Sequence, residues 1–536
     1  MQGKGQLYRA VFKEGNGDKV RHFPKQFRRI LSLGYMLPLL VASQIREADA
    51  YAIAHEPILS IDLMERASKA FVGWFINHFP DKKLTISIYC GTGNNGGDGL
   101  AIARLLCEHG YCNISVIITR FSDKASDDFN SNLERLGKTE IPIMELKNRS
   151  KLPTEKAEII IDAMLGSGLN KPLAGDYKNI VDYLNSLKTT IVSVDVPTGF
   201  YTDGEIPKNA AVLNADLVIT FEQPKINFLL PESGPYINCC EVVKIGLSEE
   251  FIRSADTPYL YVEEADARKM IKPRRRFSNK GTYGHALIVA GKDETMGAAL
   301  LSASACAHAG AGLTTACIPQ SGLTALNSYQ PEVMVTIREK EKLPDIEWEK
   351  FSTIAIGPGL GKGIDTLALL TSIFDHYKKP VVIDADALNV LADNQQLFES
   401  IPAGSVLTPH MKEFDRLFGD HESWLQRLQT ARGKAAELNI YIILKNDYTI
   451  TATPEGKLYF NSTSNAAMAS GGMGDVLTGI IASLLAQKYS PQDACILGVY
   501  IHGKAGDELA LANRMHVVLP GKIISQLPIT MAKLKA

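Results

Sequence analysis

Leu84-Thr85-Ile86-Ser87-Ile88-Tyr89-Cys90-Gly91-Thr92-Gly93-Asn94-Asn95-Gly96-Gly97-Asp98-Gly99-Leu100 is the stretch on which the fold turns. Its first seven residues are mostly β-branched, aromatic or apolar and predict a buried strand. The glycine run predicts a loop. Leu100 to His109, stopped by Gly110, predicts a helix. Strand, glycine loop and helix in that order open a βαβ unit. Further strand candidates follow at Asn113 to Thr119, Glu158 to Asp162, Thr190 to Asp195 and Asp216 to Phe221, with helical patterns between several of them. Such alternation predicts an α/β protein with a mostly parallel sheet covered on both faces. Ligands of such sheets bind beyond the carboxyl ends of the strands.

The pattern weakens between about Leu247 and Phe277, which includes Lys272-Pro273-Arg274-Arg275-Arg276. That stretch reads as a solvated linker over 251–275. A second α/β series then starts: His285 to Ala290, Leu313 to Ile318, Thr353 to Ile356, Val381 to Asp384 and Tyr441 to Leu444. Thr449 to Thr453 and Lys457 to Phe460, around Pro454-Glu455-Gly456, read as a hairpin. At 536 residues the chain is too long for one core. The domains expected are therefore 36–250 and 276–536.

Residues 1–35 are basic and lack periodicity. With Ile30 to Ala42 they mimic a signal peptide. The apolar run, however, passes straight into the amphipathic pattern Gln44 to Ile53, so an unstructured extension, or a true start at Met36, is the reading adopted. A formal net charge of −2 gives no general attraction to nucleic acid or membrane. No segment reaches the ~18–20 apolar residues of a membrane span. Eight cysteines are scattered without CxxC or zinc spacing, as expected of thiols in the cytoplasm.

Three strand-end loops of the first series carry acids or amides: Asn94, Asn95 and Asp98; Asp162 with Met164 to Leu169; and Asp195-Val196-Pro197-Thr198-Gly199. Together they describe one convergent pocket. Their oxygens suit a hard cation as well as polar ligand contacts. In the second series Gly471-Gly472-Met473-Gly474-Asp475 precedes the apolar run Val476 to Ile481. Its glycines can wrap an anion at a helix N-terminus. Asp475 is placed to take a proton from a hydroxyl meeting a phosphoryl group. Gly357 to Gly361, Asp384 to Asn389, Thr408-Pro409-His410 and Lys445 also follow strand candidates.

These motifs carry two resemblances. Gly91 to Gly99 (GTGNNGGDG), Asp162 to Leu169 (DAMLGSGL) and Asp195 to Gly199 (DVPTG) resemble the YjeF N-terminal NAD(P)HX epimerase domain over about residues 36 to 250. The opening helix with Gln44, Arg46, Glu47 and Asp49 fits it too. The resemblance implies a Rossmann-like three-layer sandwich, a potassium ion and a hydrated nicotinamide dinucleotide as substrate. It implies that Asn94, Asn95, Gly96, Gly97, Asp98, Gly166, Ser167, Gly168, Leu169, Asn170, Lys171, Pro172 and Asp195 line the dinucleotide. Asn95, Asp162 and Thr198 are implied as potassium ligands.

GPGLG, DADALN, TPH followed by Glu413, and GGMGDVLTG resemble the ADP/ATP-dependent NAD(P)HX dehydratase of the ribokinase-like superfamily over about 265 to 530. Ala298, Gly359, His410 and Asp475 are implied to contact the hydrated dinucleotide. Lys445, Asn446, Asp447, Tyr448, Thr449 and Gly474 are implied to contact the adenine nucleotide, which brings magnesium. Asn446 stands where the family usually has Gly, and Asn461 to Asn465 replaces the usual approach to the nest.

Together the resemblances imply a bifunctional repair enzyme acting on NADHX and NADPHX. Asp195 is the candidate acid/base of the epimerase and Asp475 the base of the dehydratase. Fusion of the halves resembles the prokaryotic, ADP-using arrangement. No nucleic-acid or membrane partner is expected, and a homo-oligomer is. A vitamin kinase would need no second dinucleotide pocket. An ordinary NAD(P) dehydrogenase is disfavoured by Asp98 in the turn and by the lack of a clear ribose-binding acid near Arg120. A non-enzymatic binding module is disfavoured by Asp162 and Asp195 occurring together.

Overall fold

The structure is a computed structural model that describes residues 36–56, 58–169, 171–339, 343–513 and 515–535. The expected extension 1–35 and the candidate site residue Asn170 lie outside them. The chain divides into two compact units, Leu39–Ala255 and Asp256–Ala536, the second also taking Pro38 and the described residues before it.

The first unit is built on a seven-stranded parallel sheet. Its order is Ile143–Lys147, Ile114–Arg120, Ile86–Cys90, Ile159–Ala163, Thr190–Val194, Leu217–Phe221 and Cys240–Val243. Ile86–Cys90 and Ile159–Ala163 are buried along their whole length, as strands covered on both faces must be. Phe71, Phe75, Leu105 and Leu106, from helices Ser60–His78 and Asn94–Glu108, cover one face, over Ile88 and Ile161. Ile180, Val181 and Leu184 of helix Gly175–Asn185 cover the other, over Tyr89 and Ile160.

The two edge strands have no counterpart in the sequence reading. Ile143–Lys147 leaves Met144 half exposed, so it lacks the apolar run of a central strand. The glycine motif also differs from its expected form. The helix begins at Asn94, so Asn94 to Gly99 are its first turns and not a loop. Their glycines serve close packing. A methyl on Gly96 would overlap the Gly91 carbonyl, and one on Gly99 would lie 2.6 Å from Ala163 Cβ and 2.7 Å from Cys90 Sγ.

The second unit holds an eleven-stranded sheet. Its parallel part runs Tyr441–Leu444, Val406–Leu407, Val381–Ile383, Thr353–Ile356, His285–Val289, Leu313–Pro319 and Met334–Arg338. The hairpin expected around Pro454 is present as Ile450–Ala452 and Leu458–Asn461. Helices Met296–His308 and Met473–Ala486 pack backbone to backbone, because a side chain at Gly479 would overlap the Ser302 carbonyl.

The expected linker 251–275 is corrected. Glu249–Ser254 is helix in the first unit, whereas Tyr259–Val262 and Glu264–Met270 are strand and helix in the second. Tyr259–Val262 pairs parallel with Leu458–Asn461, and Leu37–Pro38 pairs antiparallel with it in turn. Residues 36–38 therefore belong to the second unit, where they cover a sheet edge that would otherwise present unpaired N–H and C=O groups.

Candidate active site

Each sheet reverses its strand order once between strands that bear motifs. In the first unit the reversal falls between Ile86–Cys90 and Ile159–Ala163. In the second it falls between His285–Val289 and Thr353–Ile356. Loops leave such a point in opposite directions and open a crevice.

The first crevice is a cavity of about 730 Å³. Asn94, Asn95, Asp98, Gly166, Ser167, Gly168, Leu169, Lys171 and Asp195 line it. Gly96, Gly97 and Pro172 do not. Gly96 packs on Gly91, Gly97 lies against Met64 and Phe129, and Pro172 is exposed. Asp162 and Thr198 form the buried support of these loops. Asp162 accepts from Thr198 Oγ1 (2.6 Å) and Met164 N (3.2 Å) at Oδ1, and from Thr198 N and Ser193 Oγ (both 2.9 Å) at Oδ2. Leu165 N donates to Thr198 Oγ1 at 3.1 Å. One carboxylate thus ties two neighbouring strand ends together. Burial pushes its pKa up, against the pull of those hydrogen bonds.

Asp195 adopts φ 59°, a conformation that side chains rarely take and that recurs at functional sites. Its Oδ1 accepts from Lys225 Nζ (2.9 Å), Thr220 Oγ1 (3.0 Å) and Phe221 N (3.0 Å). Lys225 is only 2% exposed, so this ion pair is largely desolvated. The sequence reading missed Lys225, which sits on a fourth strand-end loop, Glu222-Gln223-Pro224-Lys225. Its signal was a glutamate and a lysine flanking a proline straight after an apolar strand. Four more acids, Asp49, Asp98, Asp128 and Glu222, line the cavity. Burial pushes Asp49 up to about 6, with Lys225 opposing and Asp195 and Glu222 adding. Burial, with Asp195 adding, holds Asp98 well above the usual carboxylate range.

In the second unit Gly472 takes φ 92° and is the N-cap of helix Met473–Ala486, with Asp475 in its first turn. Lys445 Nζ lies 2.9 Å from Asp384 Oδ1, and Thr478 Oγ1 donates to Asp384 Oδ2 at 2.7 Å. A methyl on Gly474 would sit 3.3 Å from Lys445 Nζ, so the ammonium adjoins the glycine nest. Burial opposes ionisation of Asp384, but the Lys445 ammonium and the Thr478 and Thr408 hydroxyls outweigh it and hold its pKa low. Burial, then the Asp384 carboxylate, push Asp475 up to about 7, with Lys445 pulling the other way. That places a general base close to neutrality.

Gly359 takes φ 62° with its backbone against Thr295 and Ala298, so these two expected substrate contacts adjoin at the switch point. His410 caps helix Met411–Phe418. Its Nδ1 accepts from Lys412 N and Glu413 N, and its ring is about half exposed. Lys445 N donates to Pro409 O at 3.2 Å, which keeps His410 next to the lysine strand. Thr449 Oγ1 donates to Asn446 O at 2.9 Å and closes the Lys445–Thr449 turn, whereas Asp447 is exposed. Both polar atoms of the Asn446 side chain are buried without a partner, as is His502 Nε2. Burial, with the nearby Lys445 charge, brings His502 down to about 4, so the ring is neutral. Nothing in the sequence reading singled out His502, because a histidine amid the apolar residues of helix Pro491–Asn513 looks like core. Unpartnered polar atoms beside an ammonium and a glycine nest mark a place that a polar ligand completes.

The Lys445–Asp384 pair supports a stability prediction. Lys445→Met leaves a buried carboxylate unpaired and is expected to destabilise the second unit by about 3–5 kcal/mol. Adding Asp384→Asn should recover most of that loss. Thermal or urea unfolding of the single and double variants reads it.

Fold and site together define a two-unit α/β enzyme with a dinucleotide-type crevice in one unit and a phosphoryl-transfer nest in the other. Residues 60–227 match the family model "YjeF-related protein N-terminus", and residues 286–529 match "NAD(P)H-hydrate dehydratase". The bifunctional NAD(P)H-hydrate repair enzyme Nnr of Moorella thermoacetica is 31% identical over 93% of this chain and 97% of its own length. That of Escherichia coli is 33% identical over 88% and 89%. An ADP/ATP-dependent NAD(P)H-hydrate dehydratase from Bacillus subtilis, crystallised with ATP and Mg2+, is 28% identical, covers 51% of this chain and 97% of its own, and has a TM-score of 0.44. The chain belongs to the bifunctional NAD(P)H-hydrate repair enzyme family. It is an enzyme with an isomerase half and a lyase half. Among the described residues no helix is long and apolar enough to cross a membrane.

Proposed function

We propose that the first unit interconverts the R and S epimers of NADHX and NADPHX, and that the second dehydrates the S epimer with ADP, releasing AMP and phosphate. The observation that carries the second half is Asp475 in the first turn of a glycine-capped helix, pushed up to about 7 beside the Lys445–Asp384 pair. Asp475 takes the proton of the ring hydroxyl as its oxygen attacks the terminal phosphoryl of the nucleotide. The nest N–H groups and Lys445 meet the charge on that phosphoryl. The phosphorylated carbinol then loses phosphate, a far better leaving group than hydroxide, and the intact nicotinamide ring returns. Asn446 and His502 supply the polar atoms that nucleotide binding would satisfy.

Magnesium neutralises nucleotide phosphate charge. It would be held mainly by those phosphates, with Asp386, whose Oδ2 accepts from Gly361 N at 2.8 Å, as a carboxylate near Asp475. Incubating purified S-NADHX with the chain and ADP, or ATP, tests the reading. Recovery of NADH with a stoichiometric nucleotide product, AMP from ADP or ADP from ATP, is expected. Recovery that needs no nucleotide would sink it.

In the first unit the proposal extends to a potassium ion at Asn95, Asp162 and Thr198. One feature supports it: Asp162 is fully buried and paired with no lysine or arginine among the described residues. One carboxylate among neutral oxygens suits a monovalent charge. The thermal midpoint of the first unit is expected to climb with the logarithm of potassium concentration, and less with lithium. Asn95→Ala leaves the Asp162 network standing and should flatten that response. An unchanged slope at constant chloride would remove the ion from the scheme. None of the eight cysteines forms a disulfide, which supports residence in the cytoplasm.

A further inference from the structure

Epimerisation at one ring carbon poses a problem of faces. The hydroxyl leaves one face of the ring, and water must return to the other. A single acid–base side chain held beside the ring reaches only one of them. Either the ring turns over inside the cavity, or a second group serves the second face.

Five acids line the first unit's cavity, and two of them stand in opposite settings. Asp195 is fixed at Oδ1 by Lys225, Thr220 and Phe221 N. Asp49 comes from a different element, helix Ala42–His55, which buries Ala48 and Ala52 and lines the same cavity with Ile45, Asp49 and Ile53. Its carboxyl makes no hydrogen bond or ion pair among the described residues, and burial pushes it up to about 6. One acid is held by a cation and two other donors. The other is desolvated and unpaired. Desolvation favours the protonated form of Asp49, so this carboxyl can hold a proton to give. The other three acids have partners: Asp98 accepts from Ser68 Oγ at 3.4 Å, Asp128 from Ser60 Oγ at 2.6 Å, and Glu222 from Lys244 Nζ at 2.6 Å and from the backbone N–H groups of Ile245, Gly246 and Leu247.

Resting on the epimerase reading, we propose that Asp49 is the second catalytic residue of the epimerase, serving the ring face that Asp195 does not. In one direction Asp49 gives its proton to the departing hydroxyl. The C–O bond breaks with its electron pair going to oxygen, water leaves, and the ring nitrogen lone pair forms the iminium. A water then attacks the other face. The new C–O bond forms, the iminium pair returns to nitrogen, and the water's extra proton passes to Asp195. The reverse conversion runs with the roles exchanged, and nothing is oxidised or reduced.

The test uses the full chain without nucleotide, so that no dehydration occurs, in water labelled with heavy oxygen. Pure R-NADHX and pure S-NADHX are followed separately. Wild type should invert both epimers, each inversion placing solvent oxygen on the ring. Asp49→Asn should slow inversion by ~10²–10⁴-fold, the usual range for losing an acid–base group. It should still exchange the hydroxyl of one epimer with solvent oxygen without inversion, because Asp195 can remove and return water on its own face. Asp195→Ala should show the same exchange on the opposite epimer, and Asp49→Glu should regain part of the inversion. Same-face exchange also reports that the Asp49→Asn pocket is folded. Asp49→Asn inverting within a few-fold of wild type overturns the proposal alone, and so does loss of exchange on both epimers. A wild type that inverts neither epimer above the rate in buffer overturns the epimerase reading and this proposal with it.

Discussion

Asp475→Asn is expected to abolish nucleotide-dependent dehydration and to leave epimerisation intact. The amide keeps the shape of the carboxyl but cannot take the hydroxyl proton, and loss of a general base lowers a rate by ~10²–10⁴-fold. The two halves should separate cleanly, because the cavity lined by Asp195 and the nest beside Asp475 lie in different compact units. The pH dependence follows from the same residue. Burial and Asp384 push Asp475 up to about 7, and a base acts only when ionised, so the wild-type dehydration rate should rise with pH through about 7 and then level off. Stability runs the other way. A carboxyl whose folded pKa lies above its unfolded value contributes stability below the unfolded pKa and loses it as pH rises through the folded one. Wild type should therefore weaken toward about pH 7, and Asp475→Asn, which carries no charge to desolvate, should show less of that decline. Purified S-NADHX with ADP gives the rate, and melting curves at several pH values give the stability. Near-normal NADH recovery by the variant would move the base to another residue.

Asp195→Ala is expected to stop consumption of the R epimer while the S epimer is still dehydrated. The variant removes the carboxylate that Lys225 Nζ approaches at 2.9 Å, so it also leaves a nearly buried ammonium with, among the described residues, only the Phe221 carbonyl as a hydrogen-bond partner at 3.1 Å. Part of the effect is therefore structural, and Asp195→Asn separates the two. The amide retains an oxygen acceptor for Thr220 and Phe221 N but offers no base. If the chemistry belongs to Asp195, both variants lose R-epimer turnover by a similar factor. If Asp195 only positions Lys225, asparagine recovers most of it. Complete clearance of a racemic mixture by Asp195→Ala, faster than spontaneous epimerisation, would remove Asp195 from catalysis.

Much of the fold was legible because buried parallel strands are written as continuous apolar runs. Thr353–Ile356 and Tyr441–Leu444 have the expected bounds, and the other central strands shift by one or two residues. The strands that escaped are those whose stability is not written in their own residues. Ile143–Lys147 is a half-exposed edge, Val406–Leu407 is two residues long, and Tyr259–Val262 lies in a stretch of mixed polarity. Each is held by its neighbours, not by local preference, and packing of this kind overrides propensity.

The sequence alone determined the chemistry-bearing positions at strand ends, from Asn94 and Asp195 to Lys445 and Asp475. Glycine, acid and amide have few reasons to cluster directly after buried strands except to meet a ligand. Only the tertiary structure decided how these residues divide their work. It placed Asp162 and Thr198 as a buried brace and not as cavity wall, and joined Lys445 to Asp384 across 61 positions of chain. It brought Lys225 and His502 to the sites from segments without a motif, and set Asp49 of the opening helix in the cavity wall. Whether a carboxyl holds its proton depends on how much water and which charges surround it, and those are set by residues far away in the chain.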